Sequence, residues 1–273
     1  MNKKSADQPI GVFDSGIGGL TVVRSLKQLL PSEDICYLGD EARYPYGTKS
    51  AETIRRYAHE DTEFLLDRGV KMVIVACHSA SSAALPFLKK DFKLPVIGVI
   101  EPGARTAVKT TRNKRIGVIG TAATISAGEY ERAILAADST VRVIAKSTPL
   151  FVPLVEEGWL EGQVTDQVIA TYLSSLKEDK IDTLLLGCTH YPLLKPSLAS
   201  FFGTGVHLVD SGDETALAAR DILAKMNLLR NDNQKGQSRF YLTDLSPNFR
   251  TVGERFLGSP IEDVTRVSVK YEV

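Results

Sequence analysis

No segment of the sequence approaches the roughly 20 consecutive apolar residues that a membrane-spanning helix needs. Neither sign of charge is in excess: 33 Lys and Arg meet 33 Asp and Glu. The net charge therefore gives no reason to expect a nucleic acid or an acidic membrane surface as partner. Cysteine is sparse, with three residues (Cys36, Cys77 and Cys188) and no CxxC pair, which leaves little for a zinc site or a redox motif. An odd number of thiols also speaks against a disulfide framework. Met1 to Pro9 is short and polar and has no apolar core of the signal-peptide kind, so a cytoplasmic location is expected, with the first residues as a loose tail. The one glycine-rich turn, Gly16-Ile17-Gly18-Gly19, is not GxGxxG and is followed by no Walker lysine.

What the sequence does have is the composition of an ordinary globular chain, 43% hydrophobic and 24% charged over 273 residues, enough for one large domain or two smaller ones. Short apolar runs alternate with stretches of helical period. Strands are predicted over 10–13, 35–38, 70–76, 96–100, 115–120, 141–145, 183–186, 206–209, 239–242 and 267–269. Helices are predicted over 20–30, from a Ser50 cap to about 68, and over 126–137, 161–177, 214–226 and 247–256, with an exposed linker at 230–237. Runs such as Val70 to Ala76, rich in β-branched residues and continuous, suit strands covered on both faces, hence parallel sheets. The expected class is α/β with right-handed crossovers.

A weak internal repeat runs through this pattern. IGVFDSGIGG (Ile10 to Gly19) is echoed by IGVIGTAAT (Ile116 to Thr124), and IVACHSAS (Ile74 to Ser81) by LLGCTHYP (Leu185 to Pro192). Each half thus carries a cysteine just past a strand, beside hydroxyls and a histidine. Parallel sheets bind ligands beyond the carboxyl ends of their strands. A structural cysteine belongs inside the apolar run, whereas a thiol near a loop, a helix start and a His is placed to have its pKa lowered and to act as a base. Use of one thiol as a nucleophile is the rival reading. Two further clusters sit at strand ends: Asp14-Ser15-Gly16, and the loop Gly39-Asp40-Glu41-Ala42-Arg43-Tyr44-Pro45-Tyr46-Gly47, which has the make-up of a lid or pocket wall. His59 and His207 lack such company and read as structural or solvated. Inverting a stereocentre needs one base on each face, in opposite protonation states, and a matched pair of thiols suits that task. Asp14 could serve one side and His190 the other.

The stretches GVFDSGIGGLTV, GDEARYPYG, VKMVIVAC, LPVIGVIEPGA, IGVIGT, FVPLVEEG, LLLGCTHYPLL and LVDSGDETA, with FYLTDLSPNFRTVGERFLG near the end, resemble the glutamate racemases of the cofactor-independent aspartate/glutamate racemase superfamily. The resemblance covers nearly the whole chain. It implies an isomerase that interconverts L- and D-glutamate for peptidoglycan synthesis without pyridoxal phosphate, metal or other cofactor. It implies Cys77 and Cys188 as the two bases, with Asp14, Glu156 and His190 as acid/base helpers. Substrate-binding positions implied are Asp14, Ser15, Asp40, Pro45, Tyr46, Gly47, Cys77, His78, Ser79, Thr121, Cys188, Thr189 and His190. The fold implied is two pseudo-symmetric α/β domains across a cleft, 1–98 with 208–273 on the Cys77 side and 99–207 on the Cys188 side. The small-molecule substrate is the expected partner, with no nucleic acid and no membrane, and a homodimer is left open. The sequence departs from the family chiefly at one place: His78-Ser79 stands where the family usually has Asn-Thr after the first cysteine; a smaller departure is Lys146-Ser147-Thr148 before Pro149, where many members carry a cysteine that is not one of the bases. His78-Ser79 keeps open an altered substrate such as aspartate; a low-turnover binding or regulatory protein on the same scaffold is the other alternative.

Overall fold

The computed structural model describes residues 5–232, 234–246 and 249–269. The chain begins β1 (Ile10–Asp14), α1 (Leu20–Leu29), β2 (Ile35–Gly39), α2 (Ala51–Leu66), β3 (Met72–Val75), α3 (His78–Asp91), β4 (Val96–Gly98) and α4 (Ile100–Thr110). It continues with β5 (Arg115–Gly120), α5 (Ala122–Ala127), α6 (Glu129–Ala137), β6 (Arg142–Ser147), α7 (Phe151–Glu156), α8 (Gln163–Glu178), β7 (Thr183–Gly187), α9 (Lys195–Phe202) and β8 (His207–Asp210). It closes with α10 (Ser211–Lys225), β9 (Ser238–Leu242), α11 (Phe249–Leu257) and β10 (Val264–Arg266).

The strands form two sheets. One has six strands in the order β10-β9-β2-β1-β3-β4, the other four in the order β6-β5-β7-β8. Every pairing in both is parallel. In the central strands β1, β2, β3 and β7 every residue is buried. This is why they read as unbroken apolar runs: helices cover both faces of a parallel sheet, so no polar face is left to alternate.

Several predicted boundaries move. The helix predicted over 126–137 is two helices, because Gly128 takes the left-handed conformation (φ 68°) and ends α5 before α6 begins. The strand predicted over 267–269 lies instead at Val264–Arg266, and Val269 packs into the core below the sheet. Helix α3 was not foreseen; its stretch of Ala and Ser carries too weak an apolar period. Residues 233, 247 and 248 and the first four of the expected tail lie outside the described residues. The expected domain boundary at 207/208 falls inside β8, all of which pairs with β7.

The segment after β2 is braced by a buried polar network. Arg43 bonds Asp40 through Nε at 2.5 Å and Asp61 of α2 through Nη2 at 2.8 Å, and it also reaches Glu60. The Tyr46 hydroxyl donates to Asp61 at 2.8 Å and contacts Asp40, whose other oxygen accepts from Thr243 at 2.9 Å. Arg43 also lies over the Tyr57 ring, 4.2 Å from its centre. One cation thus bonds three carboxyl groups, two of them fully buried, and ties the loop to α2, while Asp40 ties it to the end of β9 through Thr243; burial and the nearby Asp40 charge push Asp61 toward its protonated form. Removing Arg43 leaves these buried carboxyl groups without their cation. Arg43→Met is therefore expected to lower the unfolding free energy by about 3–5 kcal/mol. Urea denaturation measures this, and a loss below about 1 kcal/mol would show that the network does not brace the loop.

Candidate active site

In a parallel sheet all carboxyl ends lie on one side, and here those ends meet across a shared cavity of about 270 Å³. From the six-stranded side come Ser15, Tyr44, Pro45, Gly47, Thr48, Cys77, His78 and Ser79. From the four-stranded side come Thr121, Ala122, Pro149, Val152, Pro153, Glu156, Cys188, Thr189 and His190. The two sides touch closely. Ser79 Oγ lies 3.0 Å from Thr121 Oγ1 and 3.3 Å from Thr124 Oγ1, and Thr21 donates to the Thr189 carbonyl at 3.2 Å. Gly18 makes this approach possible: a Cβ there would lie 2.3 Å from Thr189 Oγ1 and 2.6 Å from His190 Nδ1.

Cys77 follows β3 and caps α3, its sulfur accepting the Ala80 N–H at 3.5 Å. Its thiol points to Ser15 Oγ at 3.6 Å. Burial, and then the neighbouring Asp14 charge, push this thiol up to about 12, against the pull of the Ala80 and Ser15 hydrogen bonds. Cys77 therefore holds its proton near neutral pH. Asp14 itself ends β1 behind the cavity wall, with Gly16 N–H bonded to it at 3.1 Å. Burial raises its pKa, opposed by His190 and by backbone N–H groups of the glycine turn.

Cys188 follows β7 and meets a different neighbour. His190 Nδ1 lies 3.8 Å from its sulfur, and His190 Nε2 lies 3.1 Å from Glu156 Oε1. Burial alone would drive the imidazole neutral. The hydrogen bonds to Cys188 and Glu156 outweigh it and raise His190 to about 10. The ring is an imidazolium at neutral pH, donating from both nitrogens. For Glu156 burial works upward, but the bond from His190 prevails and lowers its pKa.

His78, the departure from the family pattern, is the first residue of α3. Its Nε2 lies 2.9 Å from Ser211 Oγ, and that hydroxyl also donates to the Leu186 carbonyl at 3.5 Å. The Tyr130 hydroxyl lies 3.3 Å from the same Ser211 oxygen. Burial, helped by the His190 charge, lowers the His78 pKa to about 3. The cavity wall beside Cys77 thus carries a neutral ring and not a second imidazolium.

Of the positions singled out from the sequence, Ser15, Pro45, Gly47, Cys77, His78, Ser79, Thr121, Glu156, Cys188, Thr189 and His190 line the cavity. Asp14 stands behind it. Asp40 and Tyr46 do not line it: both are fully buried in the Arg43 network, so their part is to hold the loop that brings Tyr44, Pro45, Gly47 and Thr48 to the wall. Tyr44 was missed as an individual residue, although its loop carried the aromatic signal of a pocket wall. Pro149, Val152 and Pro153 gave no signal beyond apolar character. His59 is a half-exposed partner of Glu63 at 3.7 Å, and Cys36 is a buried core residue. Among the described residues no three His, Cys, Asp or Glu side chains converge as a metal site would need, and no helix is long and apolar enough to cross a membrane.

The family model for Asp/Glu/hydantoin racemases matches residues 10–219. A glutamate racemase from Geobacter metallireducens is 48% identical over 263 residues, covering 96% of this chain and 97% of the relative. The crystal structure of the Francisella tularensis glutamate racemase in complex with D-glutamate superimposes with a TM-score of 0.91 at 39% identity, covering 97% of this chain and 98% of that one. The Thermus thermophilus glutamate racemase in complex with β-chloro-D-alanine gives 0.88 at 45% identity, covering 97% and 99%. The chain belongs to the Asp/Glu/hydantoin racemase family.

Because His78 is neutral when folded and ionises near 6.5 when unfolded, the unfolded chain takes up its proton first as acid is added. Stability should fall as pH drops from about 6.5 toward about 3. In His78→Asn this part of the acid sensitivity should vanish, so the gap between the urea midpoints of the two proteins changes with pH across that window. A constant gap would mean that His78 is not buried as a neutral ring.

Proposed function

We propose that this protein interconverts L- and D-glutamate by moving a proton between two thiols, Cys77 and Cys188, across the α-carbon, and so supplies D-glutamate for peptidoglycan synthesis in the cytoplasm. It is an isomerase of the amino-acid racemase type. The observation that carries the reading is that two thiols from the ends of β3 and β7 line one cavity while standing in opposite electrostatic settings.

In one direction a thiolate at Cys188 takes the α-proton and the Cys77 thiol delivers its own to the opposite face. One proton leaves carbon and one arrives, so nothing is consumed and no cofactor is called on. The His190 imidazolium, 3.8 Å from Cys188, offsets the thiolate charge before the step and stands ready to bond the thiol after it. In the reverse direction Cys77 is the base and Ser15 and the Ala80 N–H hold its negative sulfur. Among the described residues the cavity lining contains no Lys or Arg. Substrate carboxylates are then held by the hydroxyls of Ser15, Ser79, Thr121 and Thr189 and by the free N–H groups at the start of α3. Asp14, whose charge bears on both Cys77 and His190, is the proton partner in this reading. The two lobes are 1–98 with 208–273 and 99–207, and the pairing of β8 supports moving the last boundary beyond Asp210. A homodimer belongs to the same reading.

The test is circular dichroism of the purified protein with D-glutamate in D₂O, without added cofactor. The optical signal should decay to zero while deuterium enters the α-position. Cys77→Ser and Cys188→Ser should each lose at least about 10²-fold in kcat, the scale of a lost acid or base. A flat signal with D-glutamate but decay with D-aspartate would change the substrate. A flat signal with both would leave a binding protein on a racemase scaffold.

A further inference from the structure

A histidine ring turns easily about its last bond, because that torsion is broad. The hydrogen bonds to Cys188 and Glu156 fix the ends of the His190 ring, but they leave its plane to be set by what packs on it. Two aromatic rings do so, both from the opposite side of the cleft to Cys188. Tyr44, in the braced loop after β2, lies over His190 at 26° between planes with centres 6.4 Å apart. Phe256 of α11 meets the same ring at 75° with centres 5.0 Å apart. Both geometries fall within the offset-stacked and edge-to-face arrangements that aromatic pairs favour. The remaining space on the Nδ1 side is closed by Gly18. The titratable groups that bear on the ring are Glu156 from α7, Cys188 from its own segment, Asp14 from the end of β1, and Glu41 from the loop.

We propose that Tyr44 and Phe256 are positioning residues: they hold the plane of His190 so that Nδ1 faces the Cys188 sulfur while Nε2 faces Glu156. The six-stranded side thereby completes the base carried by the four-stranded side, and Cys188 has its cation in place only when the cleft is closed over it. This rests on the reading of Cys188 as an acid/base thiol. Phe256 is fully buried and does not line the cavity, so it acts on the chemistry through His190 alone.

Iodoacetamide labelling of the substrate-free, full-length protein at neutral pH, read by peptide mass spectrometry, tests this without reference to turnover. The ratio of Cys188 to Cys77 labelling reports whether the cation sits beside Cys188, and Cys36, buried elsewhere, reports general loosening. In Tyr44→Ala the ratio should fall about tenfold, the scale expected when a thiol loses its counter-charge. Phe256→Leu, which keeps most of the core volume, should lower it in the same direction. Tyr44→Phe keeps the stacked ring and should keep the ratio. A ratio within about twofold of the parent in both Tyr44→Ala and Phe256→Leu overturns the proposal. So does a fall in Tyr44→Phe as large as in Tyr44→Ala, which would assign the effect to the hydroxyl, and so does a fall that appears only together with Cys36 labelling. If glutamate proves not to be the substrate, the labelling result still stands or falls by itself.

Discussion

The arrangement around the cleft turns on a positive charge kept out of water. An isolated ion in a protein interior is costly, and an imidazole has the easy escape of losing its proton. His190, almost wholly buried, keeps it because Glu156 and Cys188 face its two nitrogens. Each of those partners must itself be delivered. Cys188 comes from the end of β7, which is buried along its whole length. Glu156 is the last residue of α7, a six-residue helix whose apolar residues Phe151, Leu154 and Val155 anchor it in the core. The ring's faces are then closed by a loop and a helix from the other sheet. A single charge so ties together four separate parts of the chain, and the loss of any one would let water or misalignment return the ring to neutrality.

That dependence also sets two thiols in equivalent places in different surroundings. Both follow a buried parallel strand, and both are followed by a histidine within two residues. The histidines differ. His190 is cationic and bonded to its thiol, whereas His78 is turned toward Ser211, neutral, and gives Cys77 no counter-charge. Cys77 has instead a buried carboxylate near it, and burial adds to that repulsion. A racemising pair has to begin with one proton between two bases. The topology supplies the symmetry, and in the proposed mechanism these unlike neighbours are what would break it.

Much of this was legible in the sequence, for reasons that can be traced residue by residue. The central strands were readable because burial on both faces leaves continuous β-branched runs. The thiol pair was readable because each cysteine sits one step past such a run. Helix α3 was not, since Ser81, Ser82 and their alanine neighbours face a tightly packed wall and need no bulky apolar stripe. Asp40 and Tyr46 looked like pocket residues because they share a loop with Pro45 and Gly47; only the fold shows them turned inward to Arg43 and Asp61. Ser211, Tyr44 and Phe256 are contacts between segments far apart in sequence. Such pairs leave no local period or spacing to read, and they become visible only when the chain has closed.

The charge balance of the cavity then bears on how an acidic substrate is held at all. A glutamate molecule brings one net negative charge to a lining that already holds the Glu156 carboxylate and offers one cation. A lysine or arginine in the wall would attract it, but would also pair with a thiolate and pull it off the α-carbon, or fix one thiol permanently in its charged form. Hydroxyls and helix N–H groups avoid this. They bind carboxylates through dipoles that carry no net charge, and burial makes each such bond stronger than it would be in water. In the proposed mechanism the cation among the described lining residues is thus left to the sulfur it faces, and the substrate is recognised by groups that carry no net charge of their own.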